Sequence, residues 1–265
     1  MYERNVMIDE QFVKITCDSP ILWSYITDNF RPANDADPKK KAAIELDIAG
    51  DYGAPFSGFD VQVANLNHVV LFKRSDYLIM ADPDFRKAVI KAYDRMALKH
   101  ALLNFYSSYL IHHESGLLIH SSCVIDHGFA HMFAGQSGVG KSTAARLSSP
   151  RKLLSDEATL IKISAETGTI TAYNSPFRSD IGAIDGGQHC ELKSIQLLHQ
   201  HTENKRTRVA KDTNLVQLLL PRTFYWPHTD KELSIIHELL NKIIERVPVY
   251  DLYFQKNNTF WQLIS

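Results

Sequence analysis

The stretch Phe129-Ala130-His131-Met132-Phe133-Ala134-Gly135-Gln136-Ser137-Gly138-Val139-Gly140-Lys141-Ser142-Thr143 decides how this chain is read. A mostly apolar run leads into Gly135, and glycine then recurs up to a Lys-Ser-Thr triplet. This is the spacing of a phosphate-binding loop, in which glycines let the backbone curl so that successive N–H groups point inward at nucleotide phosphates. In that reading Gly135, Ser137, Gly138, Val139, Gly140, Lys141, Ser142 and Thr143 bind the nucleotide. Lys141 reaches the terminal phosphates and Ser142 offers its hydroxyl to Mg²⁺. The helix opening near Lys141 turns its positive end toward the same concavity. A Gly/Ser-rich turn ending in a solvated lysine would explain the composition, but not the fixed positions together with the apolar lead-in.

The flanks narrow the kind of nucleotide protein. Leu117-Leu118-Ile119-His120-Ser121-Ser122-Cys123-Val124-Ile125 reads as a strand, and only Asp126-His127-Gly128 separates it from the strand entering the loop. So short a connection, with a glycine in it, makes an antiparallel hairpin; parallel neighbours need a long crossover. Pro150 then leaves room for about two turns of helix after the loop, at ~3.6 residues per turn. Lys152-Leu153-Leu154-Ser155-Asp156-Glu157 supplies another strand and two adjacent carboxylates. An acidic pair at a strand end can hold Mg²⁺ or take a proton from an attacking hydroxyl.

Leu118-Ile119-His120-Ser121-Ser122, the hairpin, the loop and the early Leu154-Ser155-Asp156-Glu157 together resemble the HPr kinase/phosphorylase family and its relatives. The relatives include serine kinases found with modified-peptide biosynthesis, and their nucleotide domain is similar to that of phosphoenolpyruvate carboxykinase. The overlap covers residues 115–182, with a weaker likeness near Val247-Pro248-Val249-Tyr250. The resemblance implies an α/β (α+β) fold, with a mixed β-sheet P-loop kinase domain and a smaller β-rich N-terminal domain. It implies ATP and Mg²⁺ as cofactors and a catalytic set of Asp156, Lys141, Glu157, His120 and Arg178. Asp156 would be the base, and Ser142, Glu157 and Asp156 would supply the metal ligands. Arg178 and Asp180 would fill the family's second acidic and arginine region. The implied acceptor is a hydroxyl: serine in a peptide or protein, or a small serine-like molecule. The family's downstream signature is absent, so recognition of HPr itself is not implied. A P-loop ATPase or nucleotide-gated binding module without an acceptor is the alternative, since Glu157 could polarise water.

The chain has 265 residues, 45% of them hydrophobic, enough to bury a substantial core. A formal net charge of -1 provides no global field toward nucleic acid or acidic membranes. Cys17, Cys123 and Cys190 are odd in number and lack metal-ligand spacing, and read as reduced, buried thiols. No signal-peptide layout and no membrane-length apolar run is present, so a cytoplasmic protein is expected, with homo-oligomerisation left open.

Residues 1–83 alternate as a β-rich accessory domain, which includes a hairpin over Val69–Phe72 and Tyr77–Met80. Lys39-Lys40-Lys41 ends a polar, proline-punctuated loop. Asp82-Pro83-Asp84 signals the start of a connecting helix over 84–116, with Val89, Tyr93, Met96, Leu103, Tyr106 and Leu110 near helical spacing. Residues 117–265 then form the catalytic domain. In it, Ala165-Glu166-Thr167-Gly168 turns a hairpin, and Gly182 and Gly186-Gly187 sit in a flexible loop. Lys205, Arg206 and Arg208 are solvated surface or a mobile clamp over a phosphate. Thr229 to Glu232 has capping-box spacing, ahead of a helix through Val247. The chain closes with a hairpin around Lys256-Asn257-Asn258.

Overall fold

The structure, a computed structural model, describes residues 1–33, 41–179, 188–211 and 214–265. Lys39, Lys40, Asp180, Gly182, Gly186 and Gly187, which figure in the expectations above, lie outside the described residues. The chain forms two compact units, Met1–His113 with Tyr225–Leu233, and Glu114–Phe224 with Ser234–Ser265. Among the described residues no helix is long and apolar enough to cross a membrane.

In the first unit, β1 (Tyr2–Ile8), β2 (Gln11–Cys17), β3 (Arg31–Pro32), β4 (Ile44–Ala49), β5 (Gln62–Leu66), β6 (Val69–Lys73), β7 (Tyr77–Ala81) and β8 (Lys87–Ala92) share one sheet, in the order β3-β1-β2-β4-β8-β7-β6-β5. Alternation sorts the side chains: Val13, Ile15 and Cys17 of β2 are buried, and the residues between them are half-exposed. One helix, α1 (Pro20–Asn29), interrupts the β-rich stretch. Its signals are local, with Ser19 Oγ accepting from Leu22 N and Pro20 in the first turn.

The helix expected from Asp82-Pro83-Asp84 does not begin there. Asp82 Oδ1 accepts from Lys87 N at 2.7 Å and Phe85 takes φ 54°, so this segment is the turn joining β7 to β8. Ala88, Ile90 and Ala92 are buried at period two in β8, which the helical spacing of Val89 and Tyr93 concealed. α2 (Arg95–His112) starts instead at Asp94, whose carboxylate accepts from Ala97 N at 2.8 Å. It packs on β7 and β8 as the core of the first unit, with Phe105, Tyr106 and Tyr109 buried and Met96 exposed, while Tyr93, also exposed, precedes the helix.

In the second unit, β9 (Gly116–Asp126) and β10 (Phe129–Ala134) make the expected hairpin. His127 at φ 46° and Gly128 at φ 82° form its turn, the paired positive angles of a type I′ connection. α3 (Lys141–Leu147) leads to β11 (Lys152–Ser155), β12 (Ala158–Ile163) and β13 (Ile170–Tyr173). Then come β14 (His189–Gln200), β15 (Lys205–Arg208), α4 (Leu215–Leu219), α5 (Asp230–Arg246) and β16 (Val249–Phe254). The sheet runs β10-β9-β12-β13-β14-β16-β15, with β11 also on β9, and β10 pairs in parallel with β14, so β10, β9, β12, β13 and β14 close a circuit.

The closing hairpin is not formed. β16 runs parallel to β14 and antiparallel to β15, and Asn258–Leu263 is a 3-10 turn in which Asn257 Oδ1 accepts from Thr259 N at 3.0 Å. Adjacent Phe260 and Trp261 are both buried, against Phe133, Leu252 and Phe254. A strand with one solvated face cannot bury two consecutive side chains.

Candidate nucleotide site

β10 ends fully buried at Phe133 and Ala134, and the glycine loop springs from its C-terminal end. Gln136, Ser137 and Gly138 are exposed at the loop tip, while Ser142 and Thr143 are half-buried in the first turn of α3. Gly138 and Gly140 take φ 78° and 110°, conformations that L side chains rarely adopt. A Cβ at Gly140 would also come within 2.9 Å of Phe254 Cζ. Val139 N donates to Gln136 O at 3.3 Å, which closes the curl. Lys141 is buried, and its ammonium donates to Gly135 O at 3.2 Å and to Gln136 O at 3.1 Å. α3 has only 7 residues, so the groups able to hold an anion are the loop N–H donors and Lys141 more than a helix dipole.

The acids meet this loop across β9. Ser155 pairs with Cys123 and Ala158 with His120, so Asp156 falls opposite Ser122 and Glu157 opposite Ser121. Ser122 Oγ donates to Lys141 O at 3.0 Å, whereas Ser121 Oγ donates to Thr159 Oγ1 at 2.7 Å. Both acids lie in the bend between β11 and β12, and along the register Asp156 falls beside Ser122, whose hydroxyl binds the loop. Glu157 is held through its backbone, its carbonyl accepting from Ser121 N at 3.1 Å. Asp156 is buried, and its carboxylate accepts from both Ser179 N, at 3.2 Å, and Ser179 Oγ.

The cations close the same site. Burial, and after it Arg222, pushes Lys141 down from the usual ammonium range. Burial, and after it Lys141, pushes His120 down to about 4, so its imidazole is neutral at pH 7. His120 lies 5.6 Å, centroid to centroid, from the Phe224 ring. Arg222 is also depressed by burial.

Arg178 stands beside Ser179, and its guanidinium binds the segment that precedes it: Nε donates to Ser175 O at 2.8 Å and Nη2 to Asn174 Oδ1. The mobile-clamp reading of the basic run fails at Arg206. That side chain donates to Gln196 Oε1 at 3.0 Å and to Leu263 O at 2.8 Å, and stacks 3.5 Å from the Tyr250 ring centre. Among the described residues no three His, Cys, Asp or Glu side chains are grouped to hold a metal. Mg²⁺ asks for less, since it commonly takes one or two carboxylates and completes its shell with water and substrate phosphates. Ser142, half-buried in the first turn of α3, and the buried Asp156 would be the hydroxyl and the carboxylate offered to it.

Sequence reasoning missed Ser122, Ser179 and Arg222. Ser122 could have been found as the strand partner of the first acid; Arg222, over 80 residues downstream of the loop, carries no local signal.

No curated protein matches the chain. Among solved structures, that of the Hpr(Ser) kinase/phosphatase from Coxiella burnetii is similar at 12% identity and a TM-score of 0.26 over 55% of this chain and 90% of that one, a likeness too loose to carry an argument. The family profile described as SynChlorMet cassette protein ScmC matches residues 86–265, a span that takes in the loop, the acids and Arg222. On that match over most of its length, the chain belongs to the ScmC family of SynChlorMet cassette proteins.

Proposed function

We propose that this protein is an ATP- and Mg²⁺-dependent phosphotransferase that phosphorylates a hydroxyl, most simply that of serine in a peptide or of a small serine-like molecule. One observation carries the reading: Ser122 links the glycine loop at Lys141 to the β9 position opposite Asp156, so phosphate cradle and acid share one strand position. Phosphoryl transfer asks little else of a protein than positioning, charge neutralisation and a proton acceptor.

In this mechanism the loop N–H groups and Lys141 hold the β- and γ-phosphates. Mg²⁺ supplies further charge neutralisation when bound, with Ser142 and Asp156 as its protein ligands. Asp156, its carboxylate oriented by Ser179, accepts the hydroxyl proton as the acceptor oxygen bonds to phosphorus. Lys141 stabilises the charge that develops on the leaving diphosphate as the bridging P–O bond breaks. Glu157, beside Asp156, would be a further ligand for the metal, and the neutral His120 donates or accepts a hydrogen bond without adding charge.

The test is incubation with ATP labelled in its γ-phosphate, with pooled peptides and metabolites as acceptors. Label on a hydroxyl, lost in Asp156→Asn while nucleotide still binds, is the expected result. A general base contributes about 10²–10⁴-fold in rate, which sets the size of that loss. Label released only as inorganic phosphate in every mixture would replace the kinase by an ATPase.

A further inference from the structure

Arg222 has a donor with nowhere to go. Its Nη1 donates to Leu218 O, but Nε is buried and has no hydrogen-bond partner among the described residues. A buried guanidinium N–H without a protein partner is uncommon and costly, so this donor calls for a water or an anion to accept from it. Because Nη1 is engaged by the helix turn behind it, the edge formed by Nε and Nη2 remains open. That edge is the fork with which arginine takes two oxygens of a phosphate or carboxylate at once.

The backbone fixes where Arg222 sits in the sheet. Ala134, the last residue of β10, pairs with Ser121 of β9; had β10 continued, Gly135 would have faced His120 and Gln136 would have faced Ile119. The chain instead leaves the sheet to form the glycine loop, and Thr223 takes up the vacated register by bridging Ile119. Phe224 N donates to Leu118 O at 2.9 Å, so the substitute strand extends beyond a single bridge. Arg222 therefore enters the sheet edge at the place where the loop departs. Lys141 Nζ donates to the carbonyls of Gly135 and Gln136 at this same departure point. Two cations gathered there favour an anion between them.

We propose that Arg222 is the γ-phosphate-binding residue of this site, its Nε and Nη2 taking two γ-phosphate oxygens opposite Lys141. The assignment rests on the nucleotide reading above. It adds what the loop cannot supply, a means of telling ATP from ADP, because the loop and Lys141 also serve the diphosphate. The same contact would neutralise charge on the phosphoryl group as it transfers, making Arg222 a catalytic residue supplied by this chain itself.

Calorimetric titration of the full chain with Mg²⁺ plus either ADP or a non-hydrolysable ATP analogue tests this. Wild type should bind the analogue more tightly than ADP. Arg222→Gln should weaken the analogue by roughly 10- to 100-fold, the worth of charge-assisted hydrogen bonds, while ADP affinity stays at the wild-type level and reports an intact fold. Arg222→Lys, which keeps the charge and loses the fork, should fall between. If Arg222→Gln leaves the analogue-to-ADP ratio unchanged, whether both affinities hold or both drop, the assignment is wrong and the nucleotide reading survives. If wild type binds neither nucleotide, both fall together.

Discussion

At Gly140 the backbone takes φ 110° and the missing Cβ leaves room for the Phe254 ring, so one residue couples the loop's curvature to the packing of β16. Gly140→Ala has to meet both demands. Holding a non-glycine residue in a sparsely populated region costs about 1–3 kcal/mol, and a destabilisation of that order in chemical denaturation is expected, with nucleotide affinity falling too. Lys141 works differently, because its ammonium is held by the loop's own carbonyls, and on the proposed function it is handed over to phosphate. Lys141→Ala should abolish nucleotide binding in calorimetry while leaving the melting temperature close to wild type. A melting temperature lowered by many degrees would mean that the lysine chiefly holds the loop. Much of this residue-level pattern was legible in the sequence, because glycine spacing and a following lysine act over a handful of neighbouring positions. The neighbours of the two acids were not. They depend on the register of β11 and β12 against β9, which brings the acids alongside Ser121 and Ser122, and no property of two adjacent acids reveals it.

Elements were read well where their signals are local, and poorly where two signals competed. The β9–β10 hairpin follows from His127-Gly128, whose positive φ angles only a few residue types accept. Two positions compete for the start of α2, because Asp82 and Asp94 are both of a capping residue type. Asp82 spends its carboxylate on the β-turn at Lys87, and Asp94 caps the helix. Phe260, Trp261, Leu263 and Ile264 give the chain end the apolar run of a strand, yet buried neighbours belong to a turn with its own cap. That turn matters to the site: Phe260 and Trp261 pack on Phe133 of β10, two residues before the glycine loop begins. Phe260→Ala should destabilise the fold by about 3–5 kcal/mol, the usual cost of emptying an aromatic core position. Urea denaturation checks this, and a change under about 1 kcal/mol would mean that the turn is peripheral to the core. Arg222 belongs to this scale as well. Its position is set by a strand bridge from Thr223 to Ile119, a long-range pairing without periodicity or motif.

Over the whole molecule, two histidines link stability to pH. His120 and His131 are each pushed down to about 4, chiefly by burial, and His131 lies 2.8 Å from Ser194 Oγ. In an unfolded chain both would titrate near 6.5. Between those values the unfolded state binds more protons than the folded one, so their contribution is complete above pH 6.5 and drains away as pH falls toward 4. Melting temperature should therefore drop steadily from pH 7 to pH 4.5, and His131→Asn should flatten the drop. A variant whose pH profile overlays that of wild type would clear His131 of the effect.

Residues 225–233 belong to the first unit although they lie between Phe224 and Ser234 of the second, so the chain passes from one unit to the other three times, after His113, Phe224 and Leu233. Within the first unit this returning segment is fastened at His228, whose carbonyl accepts from Asn65 Nδ2 at 2.9 Å and whose ring lies 5.4 Å from that of Phe85. Protease nicking between His113 and Glu114 would sever one thread and leave the other two passing through a docked loop. The cleaved protein should then migrate as two bands under denaturing conditions yet travel as a single species on a sizing column. Separation of the fragments without denaturant would mean that the loop is too weak a clasp.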